Sequence, residues 1–191
     1  MATGATLTAL ILAFGPISGA HFNPAVTLVQ ALESAIGWRL VPRYAIAQVT
    51  GGVAGVVAAH AMFGEPALQV SHHARVGGAM MFSELVATFG LLTVIRGSSK
   101  RPEATPMAVG LYITGAYWFT ASTSFANPAV TIARSLTDTF SGIRPADVGG
   151  FIVAQTAGAL AAAALFRWLL PAARVPARDA VTIAATDARA S

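Results

Sequence analysis

The sequence has no cysteine and few charged residues. Without cysteine, a disulfide framework, a catalytic thiol and a thiolate metal site are all excluded. Only 10% of the 191 residues are charged and 55% are hydrophobic, whereas a soluble domain carries about 25% charged residues. A chain so poor in charge cannot cover a soluble globule, and the mean hydropathy of +0.64 agrees. The composition therefore predicts a protein that crosses a membrane several times.

Motifs of the common enzyme classes are also absent. The sequence contains no glycine-rich phosphate loop after a strand, no nucleophile elbow and no metal-ligand spacing of His, Asp and Glu. We therefore predict no enzymatic activity, no bound metal and no cofactor. The net charge of +4 does not indicate nucleic-acid binding, because the basic residues lie between apolar runs, as the orientation of membrane helices requires.

Five apolar runs are candidates for membrane-crossing helices, which need about 20 residues. They cover approximately residues 1–14, 44–63, 76–95, 105–121 and 148–170. Two further runs, 24–32 and 128–136, are too short to cross. The polar remainder, residues 171–191, is predicted to be a flexible tail.

The basic residues predict the orientation of these segments. If the two short runs do not cross, nine of the Lys and Arg residues fall on one side of the membrane, and only Arg75, Arg134 and Arg144 fall on the other. The larger group marks the cytoplasmic side and predicts a multi-pass protein of the cell inner (plasma) membrane. Residue 1 would then lie outside, which predicts that a helix preceding Met1 is lacking.

An internal repeat relates the two short runs. The sequence reads Ser-Gly-Ala-His-Phe-Asn-Pro-Ala-Val-Thr over residues 18–27 and Ser-Thr-Ser-Phe-Ala-Asn-Pro-Ala-Val-Thr over residues 122–131. Each pentad is followed by a span containing Ala-Gln, at Gln48 and at Gln155. Three crossings separate the pentads, so they enter the membrane in opposite senses, as in an inverted repeat.

Each pentad has the chemistry of a helix start inside the membrane. Asn is a good N-cap and Pro suits the first helical position, so Asn23-Pro24-Ala25 and Asn127-Pro128-Ala129 each begin a half-helix. Two half-helices that meet at their N-termini place two positive dipole ends at the centre. This arrangement, with amide donors from both Asn side chains, is suited to exclude cations and protons from a pore.

These residues resemble the aquaporin and aquaglyceroporin, or major intrinsic protein, family over approximately residues 2–170. The resemblance implies an all-α membrane protein with an inverted repeat, in which the family has six spanning helices and two re-entrant half-helices. This chain matches five of the spanning helices and lacks the first. Residues 1–63 would form the first repeat and residues 75–170 the second. The resemblance also implies homotetramers, with one pore for water or small neutral solutes in each subunit.

One departure from the family pattern bears on selectivity. The family usually has Arg directly after the second Asn-Pro-Ala, where this chain has Val130. The implied filter consists of Thr3, Tyr117, Ser124 and Val130, with Trp118 or Thr114 as alternatives to Tyr117. Loss of the guanidinium and its five donors favours polyols such as glycerol, urea-like molecules or neutral metalloid acids over strict water selectivity. With Asn-Pro-Ala-Val-Thr in both repeats, the chain also resembles a bacterial branch of the family that is associated with arsenic-resistance gene clusters, and this resemblance implies a metalloid acid only as a substrate hypothesis.

Three further polar residues are candidates for the pore or its support. Arg134, one turn beyond Val130, is expected either in the outer vestibule or, as the favoured alternative, in an intrahelical pair with Asp138. His21 is expected to line the cytoplasmic vestibule or to bond within its loop. For Glu84 the resemblance implies a structural role, in which its carboxylate accepts backbone N–H groups of the loop before the second pentad.

The leading functional hypothesis is a passive channel. Coupled secondary transporters also use inverted repeats and broken helices, but two positive dipole ends and a single carboxylate, Glu84, within the spans disfavour coupling. A non-conducting fragment is the other alternative, because one wall of the pore would be missing.

Overall fold

The computed structural model describes residues 1–170, and all regular structure in that range is helical. The α-helices are α1 (Ala2–Ser18), α2 (Pro24–Leu32), α3 (Val41–Phe63), α4 (Gly78–Gly97), α5 (Thr105–Phe119), α6 (Pro128–Arg134) and α7 (Pro145–Leu169). A short 3-10 turn, Trp38–Leu40, leads into α3. The predicted fold class, with five long helices and two short ones, is confirmed. The predicted tail, 171–191, lies outside the described residues.

Three of the long helices meet the length and hydropathy expected of a membrane span: α3 with its leading turn, α4 and α7. Helices α1 and α5 are shorter, with 17 and 15 residues, so they are about 25 and 22 Å long. The predicted end of the first run at residue 14 was wrong, because Pro16 lies within α1 without ending it. The helix ends at Gly19, whose φ of 76° is left-handed and therefore suits glycine.

The two half-helices begin where the Asn-Pro pairs predicted. Asn23 caps α2 by accepting a hydrogen bond from the backbone N–H of Ala25, and Asn127 caps α6 by accepting from Ala129 and Val130. Proline at the first helical position lacks an N–H and so leaves no orphan donor there. The second half-helix ends at Arg134, two residues before the predicted end.

The helix pairs follow the inverted repeat. Half-helix α2 packs against α3 and α7, while α6 packs against α7 and α3. The half-helices also touch each other, and α1 packs against α5 as its counterpart in the other repeat. Helix α4 lies beside α7, and no described helix takes the corresponding place beside α3. As a result, only 6% of the most apolar 18-residue stretch of α3 is buried, whereas 33% of the corresponding stretch of α7 is buried.

Helices α1 and α5 touch through their backbones at two glycines. A Cβ on Gly110 would overlap the Thr8 hydroxyl and lie 2.6 Å from the Gly4 carbonyl oxygen. A Cβ on Gly4 would overlap Thr114 and the Gly110 carbonyl oxygen. Small residues of this kind allow two membrane helices to approach closely, and here they fix the distance between the helices that carry Thr3 and Tyr117.

The two ends of the molecule are defined by different contacts. At the end that the basic residues predict to face outside, here called the outer end, the loop of residues 64–77 is bonded to the loop of residues 135–144, for example from the Ser71 N–H to the Ser135 carbonyl at 3.0 Å. At the opposite end, here called the inner end, Glu33 after α2 forms an ion pair with Arg96 of α4. The buried apolar core lies between these ends, where α2 and the loop before α6 meet α4, α5 and α7.

Candidate functional site

Asn23 and Asn127 face each other at the centre of the molecule. The Nδ2 atom of Asn23 donates to the Ala126 carbonyl oxygen at 2.7 Å, and the Nδ2 atom of Asn127 donates to the Phe22 carbonyl oxygen at 2.8 Å. Each acceptor immediately precedes the other asparagine. An amide NH₂ group has two donors, so each side chain has a second N–H group beyond the one used in this reciprocal pair.

The chain approaches both asparagines through the same backbone conformation. Residues at equivalent positions of the two loops have left-handed φ angles, which non-glycine residues rarely adopt. The pairs are Gly19 and Thr123 (76° and 60°), Ala20 and Ser124 (47° and 47°), and Phe22 and Ala126 (49° and 48°). The sequence repeat is thus also a repeat of backbone conformation. It turns the carbonyl groups of Phe22 and Ala126 towards the opposite asparagine.

A buried network holds the second loop in place. One carboxylate oxygen of Glu84 accepts from the Phe125 N–H at 2.8 Å, and the other accepts from the Ala126 N–H at 2.8 Å and the Gln155 Nε2 at 2.6 Å. Gln155 Nε2 also donates to Thr131 Oγ1 at 2.8 Å. Glu84 is fully buried. Its contacts are those that the family resemblance implies, and they leave neither carboxylate oxygen without a donor.

The first loop has a similar but smaller network. Gln48 Nε2 donates to Thr27 Oγ1 at 3.0 Å, and the His21 Nδ1 lies 3.1 Å from the same hydroxyl. His21 also packs against Tyr44, with ring centroids 5.2 Å apart. The ring of His21 therefore bonds to the half-helix that follows its loop, and His21 also lines the cavity described next.

A cavity of about 1100 Å³ is lined by both asparagines. Its lining extends from Arg43 and Thr105, near the inner end, to Tyr117 and Arg134, near the outer end. The walls are mainly apolar side chains of α1, α2, α3, α5 and α6, with polar groups at intervals. Among the predicted site residues, Pro24, Ala25, Pro128 and Glu84 lie outside this lining, and they cap or support the helices that form it.

The four predicted filter residues line the same cavity. They are Thr3, Tyr117, Ser124 and Val130. Of the alternatives to Tyr117, Trp118 is 83% exposed and Thr114 donates to the Gly110 carbonyl oxygen within its own helix. The hydroxyl of Ser124 is buried and has no hydrogen-bond partner among the described residues, and the residue also contributes to the cavity lining.

Arg134 lines the cavity and does not pair with Asp138, which contradicts the favoured sequence-based alternative. Its Nη2 donates to the Tyr117 hydroxyl at 3.0 Å, and its guanidinium carbon lies 4.3 Å from the centre of the Phe125 ring. Asp138 instead accepts from the backbone and ring of His72. The backbone hydrogen bond from His72, followed by the one from its ring, lowers the pKa of Asp138.

Arg75 is a structural residue that sequence reasoning did not single out. Its guanidinium donates to the carbonyl oxygens of Gly142, Ser122 and Phe140 at 2.7, 3.1 and 3.1 Å. Burial, and after it the positive charge of Arg134, lowers the pKa of Arg75. No periodicity or spacing marks this role, because all three acceptors are backbone atoms of loops. Arg75 thereby ties the outer loops to the segment that precedes Ser124.

Known proteins resemble this chain over most of its length. The sequence matches the family described as Major intrinsic protein over residues 1–114 and over residues 98–190. It is 57% identical over 175 residues to Aquaglyceroporin AqpS of Rhizobium meliloti (strain 1021), covering 91% of this chain and 75% of that protein. It is 34% identical over 175 residues to Aquaporin NIP1-4 of Oryza sativa subsp. japonica, covering 85% of this chain and 61% of the relative. It is 32% identical over 188 residues to Probable aquaporin AqpM of Archaeoglobus fulgidus, covering 88% and 74%.

Proposed function

Since this chain belongs to the major intrinsic protein family, we propose that it is a passive membrane channel for small uncharged solutes. The observation that carries this proposal is the cavity that both Asn23 and Asn127 line and whose lining extends towards both ends of the molecule. A relative with 57% identity is named an aquaglyceroporin, which supports solutes of the size of glycerol. The protein is a channel and not an enzyme.

The two asparagines form the barrier to ions. Each caps a half-helix whose N-terminus points to the centre, where the helix dipoles add partial positive charge. A cation is repelled there. A water molecule or hydroxyl group that accepts from both amides is oriented so that it does not relay a proton. Neutral solutes are not repelled and need only replace their hydrogen bonds to water.

The outer constriction sets the range of solutes. Val130 is apolar and half-buried, so at its position the cavity has neither a guanidinium nor its donors. Thr3 supplies a hydrogen-bonding group on another side of the lining. This mixture favours glycerol-like polyols and neutral metalloid acids over water alone. Residues 1–170 act as the channel domain, in homotetramers in the cell inner membrane.

Glu84 argues against ion- or proton-coupled transport. All the oxygens of its fully buried carboxylate accept hydrogen bonds from protein N–H groups. A carboxylate that carries protons must be reachable by water at some stage. Glu84 instead holds the loop before Asn127, so the described residues offer no coupling site at this position.

Flux through proteoliposomes tests the function. Vesicles with the full chain are compared with empty vesicles by stopped-flow light scattering under gradients of sucrose for water efflux, and of glycerol, urea or arsenous acid for solute entry. We expect entry of the neutral solutes to be faster with the protein and to stop at equilibrium. Accumulation beyond equilibrium under a proton or sodium gradient would support a coupled transporter instead. Entry rates equal to those of empty vesicles would contradict conduction altogether.

A further inference from the structure

Arg134 brings a positive charge into the outer part of the cavity. It is the last residue of α6, one helical turn beyond Val130, and it is half-buried. Residues four apart in a helix lie on the same face, and both side chains line the same cavity. The charge that Val130 lacks is therefore supplied by the same half-helix, one turn further out.

Two aromatic residues hold the guanidinium in position. Tyr117 accepts one of its hydrogen bonds at 3.0 Å, and the Phe125 ring lies 4.3 Å below its carbon. An arginine over an aromatic face is stabilised because the ring face carries partial negative charge. Phe125 is itself fixed, because Glu84 accepts from its N–H group and Phe151 packs against its ring with centroids 5.3 Å apart.

Most of the donors of this guanidinium are unused by the described residues. Arginine has five N–H donors, and only the bond to Tyr117 is formed within residues 1–170. No carboxylate of the described residues lies within ion-pair distance of Arg134. Arg75 is close enough to feel its charge, but it is also a cation. The remaining donors, and an uncompensated positive charge, are available to a molecule in the cavity.

We propose that Arg134 is a specificity-determining residue that recruits small weak acids with two acidic oxygens, such as short carboxylic acids. A planar guanidinium binds a carboxylate through two parallel hydrogen bonds, and such charge-assisted bonds are about twice as strong as neutral ones. The anion leaves Arg134 as it takes one proton from a hydronium ion of the outer solution, the neutral acid passes between Asn23 and Asn127, and on the other side the acid returns the proton to water as hydronium. This proposal rests on the proposed channel function and deepens it.

Glycolate and glycolamide form a matched pair of solutes for the test. They differ in replacing an acid oxygen by an amide NH₂ group, and only glycolate offers a carboxylate to Arg134. Glycolate entry into proteoliposomes is followed with a trapped pH indicator, since each acid molecule carries one proton inside. Glycolamide and glycerol entry are followed by light scattering. The variants are Arg134→Leu, Arg134→Lys and Tyr117→Phe.

Arg144→Gln serves as the matched control, because Arg144 is a cation at the same end that does not line the cavity. Loss of a hydrogen bond to a charged group costs about 1.5–3 kcal/mol, so we expect Arg134→Leu to lower glycolate flux about tenfold or more. Glycolamide and glycerol flux should stay within about twofold by the same reasoning, since neither has a charge to lose. The glycolate flux of Arg134→Lys and Tyr117→Phe should lie between that of the wild type and that of Arg134→Leu. The glycolate flux of Arg144→Gln should match that of the wild type.

Two results would overturn the inference while leaving the channel function intact. One is an unchanged glycolate flux in Arg134→Leu, with glycerol still conducted. The other is an equal loss of glycolate and glycolamide flux, which would give Arg134 only a structural role. If Arg134→Leu does not fold, Arg134→Lys and Tyr117→Phe decide by the same criterion. A wild type that conducts neither glycerol nor glycolamide would refute the channel function itself, and the inference with it.

Discussion

Asn23 and Asn127 each donate a side-chain hydrogen bond to the carbonyl oxygen that precedes the other, at 2.7 and 2.8 Å. The two residues are therefore linked twice, once in each direction. Each also caps its own half-helix through the side-chain oxygen. One amide group thus holds the two repeats together while its oxygen caps a helix, so the proposed barrier to ions is also the joint between the repeats.

Two variants of Asn23 distinguish the contribution of the helix cap to stability from that of the cross-link. Serine still caps a helix but is too short to reach the Ala126 carbonyl oxygen, so Asn23→Ser removes the cross-link alone. Leaving a buried acceptor unpaired costs about 1–3 kcal/mol. Asn23→Ala also removes the helix cap, which costs about 0.5–2 kcal/mol more. The unfolding temperature in detergent should therefore be highest for the wild type, lower for Asn23→Ser and lowest for Asn23→Ala. Equal stability of wild type and Asn23→Ser would show that the cross-link contributes nothing.

The structural role of Glu84 can be tested by a substitution that removes one hydrogen-bond acceptor and keeps the shape of the side chain. In Glu84→Gln one of the two oxygens becomes an NH₂ group, which must face the N–H of Phe125 or Ala126. We expect a loss of about 1–3 kcal/mol in unfolding free energy, because a buried donor is left unpaired.

The same change at an exposed glutamate controls for the chemistry of the substitution. Glu65 lies in the outer loop and is exposed, so Glu65→Gln should change stability by less than about 0.5 kcal/mol. Denaturant unfolding followed by circular dichroism measures both variants. If Glu84→Gln were as stable as Glu65→Gln, Glu84 would not be the support of the second loop.

We propose that Val130 sets the width of the filter in the channel. Val130→Arg adds a bulky cation to the cavity that Thr3, Tyr117 and Ser124 also line, and we expect glycerol flux to fall about tenfold or more, equal to about 1.4 kcal/mol of barrier. Water flux should fall less, because water is smaller. Val130→Leu is the control for bulk without charge. Glycerol flux that is unchanged in Val130→Arg, measured by light scattering, would mean that position 130 is not part of the filter.

The half-helices could be predicted from the sequence because local chemistry determines where they start. Asn followed by Pro specifies an N-cap and a first helical residue, and both helices begin there. The repeat also predicted their opposite orientation. By contrast, the predicted ion pair of Arg134 and Asp138 required helix α6 to continue to residue 138. Helix α6 ends at Arg134, so a spacing of four residues no longer places the two side chains on one face.

Contacts between distant loops could not be predicted. Arg75 reaches carbonyl oxygens in the segments 120–127 and 135–144, and these are close to it only after α4, α5 and α6 have packed. A backbone acceptor has no residue type and leaves no signal in a sequence. The Tyr117 contact of Arg134 depends in the same way on where α5 ends relative to α6.

The contact of Gly4 with Gly110 provides a test of how α1 and α5 set the cavity. In Gly110→Ala the new Cβ would overlap the Thr8 hydroxyl and lie 2.6 Å from the Gly4 carbonyl oxygen. A backbone atom cannot move aside without its helix, so α1 and α5 must separate. Overpacking of this kind costs about 1–3 kcal/mol, and we expect a lower unfolding temperature in detergent.

Gly115→Ala is the matched control on the same helix, since the nearest atom to its Cβ is Phe119 Cε1 at 4.0 Å and alanine favours a helix over glycine by about 1 kcal/mol. Because α1 carries Thr3 and α5 carries Tyr117, separation should also raise the relative flux of solutes larger than glycerol in Gly110→Ala but not in Gly115→Ala. If both variants unfold at the wild-type temperature, the close approach of the two helices does not limit the packing of the channel.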